Sequence, residues 1–106
     1  METGGPFRVL NHPAIEADLA ALPRNMSERV VRAMEERLAA APHQYGERLR
    51  RSLRGFWKLR VGDLRVLFEI AGREVRVYAV MDRREVYRRA APRLLRGWPS
   101  PERGAS

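Results

Sequence analysis

Between residues 56 and 81 the chain alternates apolar and polar side chains, interrupted at Gly62-Asp63 and Gly72-Arg73. Glycine at the first central position of a two-residue connection suits a type II′ hairpin turn, whose twist matches that of the strands it joins. The turns predict strands over 56–61, 64–71 and 74–81, and they fix the register. Val61 faces Leu64, Leu59 faces Val66 and Trp57 faces Phe68 across the first hairpin. Ile70 faces Val75, Phe68 faces Val77 and Val66 faces Ala79 across the second. All these pairs are apolar and share one face, and a slip of one residue would mix charges into it. The other face carries Lys58, Arg60, Arg65, Leu67, Glu69, Arg76 and Tyr78, with Glu69 opposite Arg76 as an ion pair.

A sheet with one apolar face needs a cover, and the upstream residues supply it. Residues 6–11 predict a short strand, after which Asn11 or His12 caps a helix over about 12–22 with Pro13 in its first turn. Ser27 is the expected cap of a second helix reaching Ala41, with Met26, Val30, Met34, Leu38 and Ala41 as its apolar stripe. Pro42 is expected to end it. A short helix from Glu85 to Ala91 is expected to stop before Pro92. The fold class is therefore α+β: an N-terminal strand, an α-helical hairpin packed on an antiparallel β-sheet, and a short C-terminal helix. At 106 residues and 44% apolar content, one domain over residues 6–91 with one modest core is expected, and 1–5 and 97–106 are expected to be disordered tails.

The formal net charge of +8 is unevenly placed. Residues 1–48 carry six arginines against seven acids, whereas residues 49–106 carry fourteen arginines and the single lysine against six acids. The excess sits in the C-terminal half, as a footprint for nucleic acid or another polyanion would. Arg60 and Arg65 face each other directly across the first hairpin, which is unfavourable for like charges. Either both splay into water or they share an anion. Phe56 and Tyr78 fall on the same polar side, where an aromatic ring can stack on a base. Trp57 and Phe68 belong with the aliphatic core residues.

Several chemistries are excluded. There is no cysteine, so disulfides and thiolate metal sites are absent. His12 and His43 have no second ligand at metal spacing and are read as local structural residues. No metal and no cofactor is expected. No apolar run has the length of a signal peptide or a membrane span, so the expectation is a cytoplasmic protein that does not contact a membrane.

The segments SLRGFWKLRVGDLRVLFEI (52–70) and VYAVMDRREVYRRA (77–90) resemble the RelE/ParE superfamily of bacterial toxins. The shared pattern is Leu and Gly before an aromatic-Lys-Leu-Arg strand, a Gly-Asp turn, an Arg-Val strand, and a closing Arg-Arg-x-Val-Tyr stretch. The helical hairpin and the AAPHQYGERL linker match as well, so the resemblance spans about residues 6–91. It implies a toxin of a toxin–antitoxin module, acting in its RelE-like branch as a metal-independent endoribonuclease that enters the ribosomal A site and cuts mRNA. There a ribose 2′-hydroxyl attacks the adjacent phosphate and leaves a 2′,3′-cyclic end. The implied catalytic residues are Lys58 on the second strand, Arg65 at the start of the third, Arg83 after the last strand, and Tyr87. Arg60, opposite Arg65, is expected to contact phosphate, and Arg51, Arg54 and Arg84 join it as expected RNA contacts. Where some members have a second lysine, this chain has Phe56. The implied partners are a cognate antitoxin, the ribosome and mRNA. The alternative is a ParE-like inhibitor of DNA gyrase, or a catalytically weak toxin that only binds its antitoxin.

Overall fold

The computed structural model describes residues 5–99. Five strands form one sheet in the order β1-β5-β4-β3-β2, with β1 over Arg8–Asn11, β2 over Glu47–Arg48, β3 over Trp57–Val61, β4 over Leu64–Ala71 and β5 over Glu74–Asp82. The hairpins β3–β4 and β4–β5 are antiparallel, and β1 runs parallel to β5, Arg8 beside Glu74. The turns are as read from the sequence: φ is positive at Gly62 and Gly72 (60° and 62°) but not at Asp63 or Arg73, the type II′ pattern.

The first hairpin register holds throughout, and Ile70–Val75, Phe68–Val77 and Glu69–Arg76 hold in the second. One expected pair does not. Val66 lies opposite Val80 rather than Ala79, because a β-bulge falls between Leu67 and Phe68 on β4 and leaves Tyr78 as an extra residue on β5. The bulge reverses which residues of β5 face which way. Val75, Val77 and Val80 reach the helical side, while Tyr78, Ala79 and Met81 turn to the other.

On the first side lie α1 (Ile15–Ala20) and α2 (Arg24–Ala33), the latter prolonged by a π-helical turn over Met34–Leu38. Helix α2 begins directly after Pro23, three residues before the expected cap, and the Ser27 hydroxyl instead donates to the Arg24 carbonyl. Ile15, Val30, Met34 and Leu38 pack on Leu59, Val66 and Phe68. A short helix α3 (Pro42–Tyr45) follows, with Pro42 starting a helix at its tolerated first position.

The expectation of a single core is corrected: a second apolar cluster fills the opposite side of the sheet. Helix α4 covers Val86–Arg96, five residues past the expected end, and Pro92 sits inside it. Proline removes one helical hydrogen bond, but tertiary contacts outweigh the loss. Val86, Ala90 and Leu94 pack on Leu67, Tyr78 and Met81, and the Arg93 guanidinium donates to Asp18 (2.8 Å) and to the Tyr78 carbonyl (2.8 Å). Asp18 is the one buried charged residue among those described, and it also accepts the Val80 N–H at 3.0 Å. Trp98 packs edge-on against Tyr78 with ring centroids 5.2 Å apart, so the expected disorder does not begin at Gly97. The rest of the two expected tails, 1–4 and 100–106, lies outside the described residues.

The cap of α1 is Ala14, with no side-chain cap, rather than Asn11 or His12; His12 accepts the Ala14 N–H at 3.0 Å through Nδ1 just ahead of the helix. Burial first, and then the Arg93 charge, lower its pKa below the ordinary 6.5. Neutral His12 is thus favoured by folding, and the stability it contributes is present above 6.5 and lost as pH falls through the lowered value. Melting temperature is expected to drop less between about pH 7 and about pH 5 in His12→Asn, which keeps an acceptor but no titrating ring. Parallel curves for the two proteins would assign the pH dependence elsewhere.

Candidate functional site

The site grows from the β2–β3–β4 corner. Strand β2 has two residues, pairing Glu47 with Lys58 and Arg48 with Trp57. Its place is set by Gly46, where a side chain has no room: a Cβ there would lie 2.6 Å from Phe68 Cζ and 2.8 Å from the Pro42 carbonyl oxygen. Because Phe68 is fully buried and cannot yield, Gly46→Ala is expected to cost about 1–3 kcal/mol, read from a urea melt. An unchanged midpoint would mean the β2 corner shifts freely.

Glu47 carries the consequence. Its carboxylate lies 3.8 Å from Lys58 Nζ and 3.3 Å from Arg60 Nε, so one acid bridges two of the expected site cations. The Lys58 side chain is only 20% exposed, whereas Glu47 is 52% exposed and open to solvent. Sequence reasoning missed Glu47 because a two-residue strand leaves no alternation to read. The one available signal was its closeness to Gly46 in a segment taken for a linker.

Arg65 lies opposite Arg60, as expected, and the two take different protein partners. Arg60 turns to Glu47, and Arg65 Nη1 donates to the carbonyls of Gly62 and Leu64, both at 2.9 Å. Arg83 reaches the same end of the sheet: its N–H donates to the Asp63 carbonyl at 2.8 Å, and its guanidinium is 3.5 Å from the Asp63 carboxylate. Arg60, Arg65 and Arg83 are thereby gathered around the Gly62-Asp63 turn, with Lys58 one pleat inward. Tyr87 stands in the first turn of α4, half-buried against the second core. Arg84 folds onto Asp82 at 3.1 Å, and the hydrogen bonds from Arg84 hold that carboxyl below its usual range.

Arg51 and Arg54 are placed elsewhere, exposed on the loop between β2 and β3. Tyr78 is not available for stacking: it is 1% exposed under α4 and Trp98, and its hydroxyl donates to Glu69 at 2.8 Å. Burial and that bond push its pKa up, so it stays protonated. Phe56 packs edge-on against Tyr78, 5.2 Å between centroids. His43 packs between Phe7 and Trp57, and His12 against Tyr78 and Trp98, both in structural roles.

The arrangement is a cation cluster closed by its own exposed carboxylates. Ion pairs of this kind are worth about 0–1 kcal/mol, so an entering phosphate can exchange with Glu47 or Asp63 at little cost. Among the described residues no group of His, Asp and Glu is placed to hold a metal, and no helix is long and apolar enough to cross a membrane.

Residues 9–87 match the family described as the ParE toxin of the type II toxin–antitoxin system parDE. Among solved structures, the RelBE2 toxin–antitoxin complex from Mycobacterium tuberculosis is similar with a TM-score of 0.70 and 29% identity, over 73% of this chain and 98% of that one. The RelB–RelE complex from Methanococcus jannaschii gives a TM-score of 0.60 at 18% identity, over 76% and 96% of the two chains. YafQ from Escherichia coli gives 0.54 at 10% identity, over 76% and 98%. No curated protein sequence matches. A family match over most of the chain, joined to RelE-type neighbours that align along almost their whole length, makes this chain a member of the ParE toxin family, a RelE/ParE-type toxin of a type II toxin–antitoxin system.

Proposed function

We propose that this toxin acts on translating ribosomes as an endoribonuclease, cutting mRNA by attack of a ribose 2′-hydroxyl on its own 3′-phosphate. The observation that carries the reading is the Glu47 carboxylate held between Lys58 and Arg60, beside Arg65 and Arg83. Cleavage needs a base, charge stabilisation at the phosphorane and a proton for the leaving oxygen. Where some members of the RelE-like branch have a second lysine this chain has Phe56, and Glu47 supplies a base in its stead. Its carboxylate takes the 2′-hydroxyl proton. Arg65 and Arg83 hold the non-bridging oxygens, with Arg60 and Arg84 along the strand. The Lys58 ammonium gives its proton to the departing 5′-oxygen, and Tyr87 stacks on the flanking base. The products are a 2′,3′-cyclic phosphate and a 5′-hydroxyl, with atoms and charge balanced and no metal or cofactor required.

The neighbours solved as RelB–RelE complexes support a RelB-type antitoxin as the cognate partner, and an mRNA target implies action in the cytoplasm. The family's ParE description favours one second reading, inhibition of DNA gyrase. A paired assay separates them. A translating extract given the toxin is expected to accumulate mRNA cut within codons, while purified gyrase with plasmid keeps its normal supercoiling activity. Gyrase-dependent DNA breaks with intact mRNA would select the second reading.

A further inference from the structure

Several exposed arginines have no carboxylate partner among the described residues, and four of them are crowded into one stretch. In the site, Lys58 and Arg60 share Glu47, Arg83 takes Asp63 and Arg84 takes Asp82. At the end of β2 and on the loop that follows it, Arg48, Arg50, Arg51 and Arg54 are all exposed, and none has a carboxylate partner among the described residues. Arg48 stacks over Trp57, its guanidinium carbon 5.0 Å from the ring centroid, and the other three project into solvent.

The loop is built to hold them there. Leu49 and Leu53 turn inward and are buried with Val86, Ala90 and Leu94 of α4. The backbone is tied at both ends, Leu49 N–H to the Phe56 carbonyl at 2.9 Å and Phe56 N–H to the Leu53 carbonyl at 3.1 Å. Leu53 N–H and Arg54 N–H close the turn on the carbonyls of Arg50 and Arg51. Arg51 has φ 59°, the one positive value on a non-glycine residue among those described. The left-handed region costs an L-residue about 1–2 kcal/mol, which glycine would avoid, so the fold accepts strain at a position whose side chain points outward.

The occupant follows from what the loop lacks. Its exposed side chains are arginines and Ser52, with every leucine turned inward. Protein partners bind chiefly through desolvated hot spots in which arginine is joined by Trp or Tyr, and residues 48–54 hold no aromatic ring. A phosphodiester backbone asks only for positive charge, and guanidinium forks suit phosphate best. We infer that loop 48–54 is a second nucleic-acid contact, distinct from the cutting site, that grips an RNA phosphate backbone without reading its sequence. The choice of RNA rests on the ribonuclease reading; the grip on phosphate does not.

The test is anisotropy of a fluorescein-labelled RNA hairpin across a salt series, with a DNA hairpin alongside. The loop variant Arg50→Ser/Arg51→Gly/Arg54→Ser is compared with Arg24→Ser/Arg29→Ser/Arg32→Ser on α2, which removes the same charge. The loop variant is expected to bind about tenfold more weakly and to flatten the plot of log K against log salt by about 2–3, three phosphates at roughly 0.7–0.9 each, while the α2 variant stays within about twofold of wild type. Arg65→Ala combined with the loop variant should show the sum of the two separate losses, as independent contacts do, which separates this surface from the site. Melting curves check that each variant is folded, and Arg51→Gly removes strain rather than adding it. Equal losses in both triple variants would reduce the effect to net charge and overturn the inference. So would a loop variant that holds RNA normally but no longer co-purifies with its antitoxin, since the loop would then face an acidic peptide. Equal binding of the DNA hairpin, lost in the loop variant, supports the phosphate grip while cutting its tie to the ribonuclease reading.

Discussion

Arg65→Ala is expected to lower mRNA cutting by about 10²–10³-fold, the usual effect of removing one preorganised charge from a phosphoryl or acyl transition state. The fold should survive it. Arg65 is half-exposed, and its side chain donates only to the carbonyls of Gly62 and Leu64 in a solvent-facing turn. Losing such bonds costs about 0.5–1.5 kcal/mol. Rate and stability therefore part company, which a merely structural residue would not allow. Primer extension on mRNA from a translating extract reads the cut ends, and a thermal melt of the same sample reads the fold. Arg65→Lys should restore part of the rate, because an ammonium keeps the charge but not the planar fork that engages two phosphate oxygens. Glu47→Gln, which keeps the shape and removes the base, should cost about 10²–10⁴-fold. Wild-type cutting by Arg65→Ala would remove it from the site, and wild-type cutting by Glu47→Gln would place the base elsewhere.

The largest loss of stability is expected from Asp18→Ala. The Asp18 side chain is 7% exposed and that of Arg93 17%, and the carboxylate binds both the guanidinium and the Val80 N–H. Truncation leaves a mostly buried cation and a strand-edge amide without partners, a situation that costs about 3–5 kcal/mol. For a chain of this size that lowers the melting temperature by roughly 12 °C or more. Asp18→Asn keeps an acceptor for Val80 and should fall between. In Asp18→Leu/Arg93→Met the unpaired charge is gone, and stability should recover in part. Recovery stays incomplete because the Val80 N–H and the Tyr78 carbonyl still lack their partners. Since Arg93 anchors the helix that carries Tyr87, the single variant should also cut mRNA poorly. A loss below about 1 kcal/mol would show that α4 is held by its leucine and valine contacts alone.

The parts of this fold that are written locally were legible. The glycine turns and the alternation gave the β3–β4 register without error, and the Glu69–Arg76 pair with it. What escaped was set by distant residues. The bulge at Tyr78 carries no glycine or other turn residue to announce it, and it depends on the α4 cluster that receives the displaced ring. Pro92 is a local stop signal overruled by Leu94 and by the Arg93–Asp18 bond across 75 residues. In the site, Lys58, Arg60 and Arg65 came out on one face because strand parity places them there. Glu47 did not, since nothing in two extended residues tells which strand they will join. The polar face itself was half misread: α4 covers its middle, leaving only the turn end open.

The parallel β1–β5 pair joins Arg8 to Glu74, 66 residues apart, whereas the three hairpin strands close through two-residue turns. Closing a loop costs more entropy the longer it is, so the hairpins can assemble early and the N-terminal strand must wait. A nascent chain has nowhere to dock that strand until β5 has been made, some 66 residues later. The toxin thus completes its sheet late, and the same edge is expected to open first. The amides of Arg8 and His12, bonded to the carbonyls of Arg73 and Val77, should exchange with solvent sooner than those of β4.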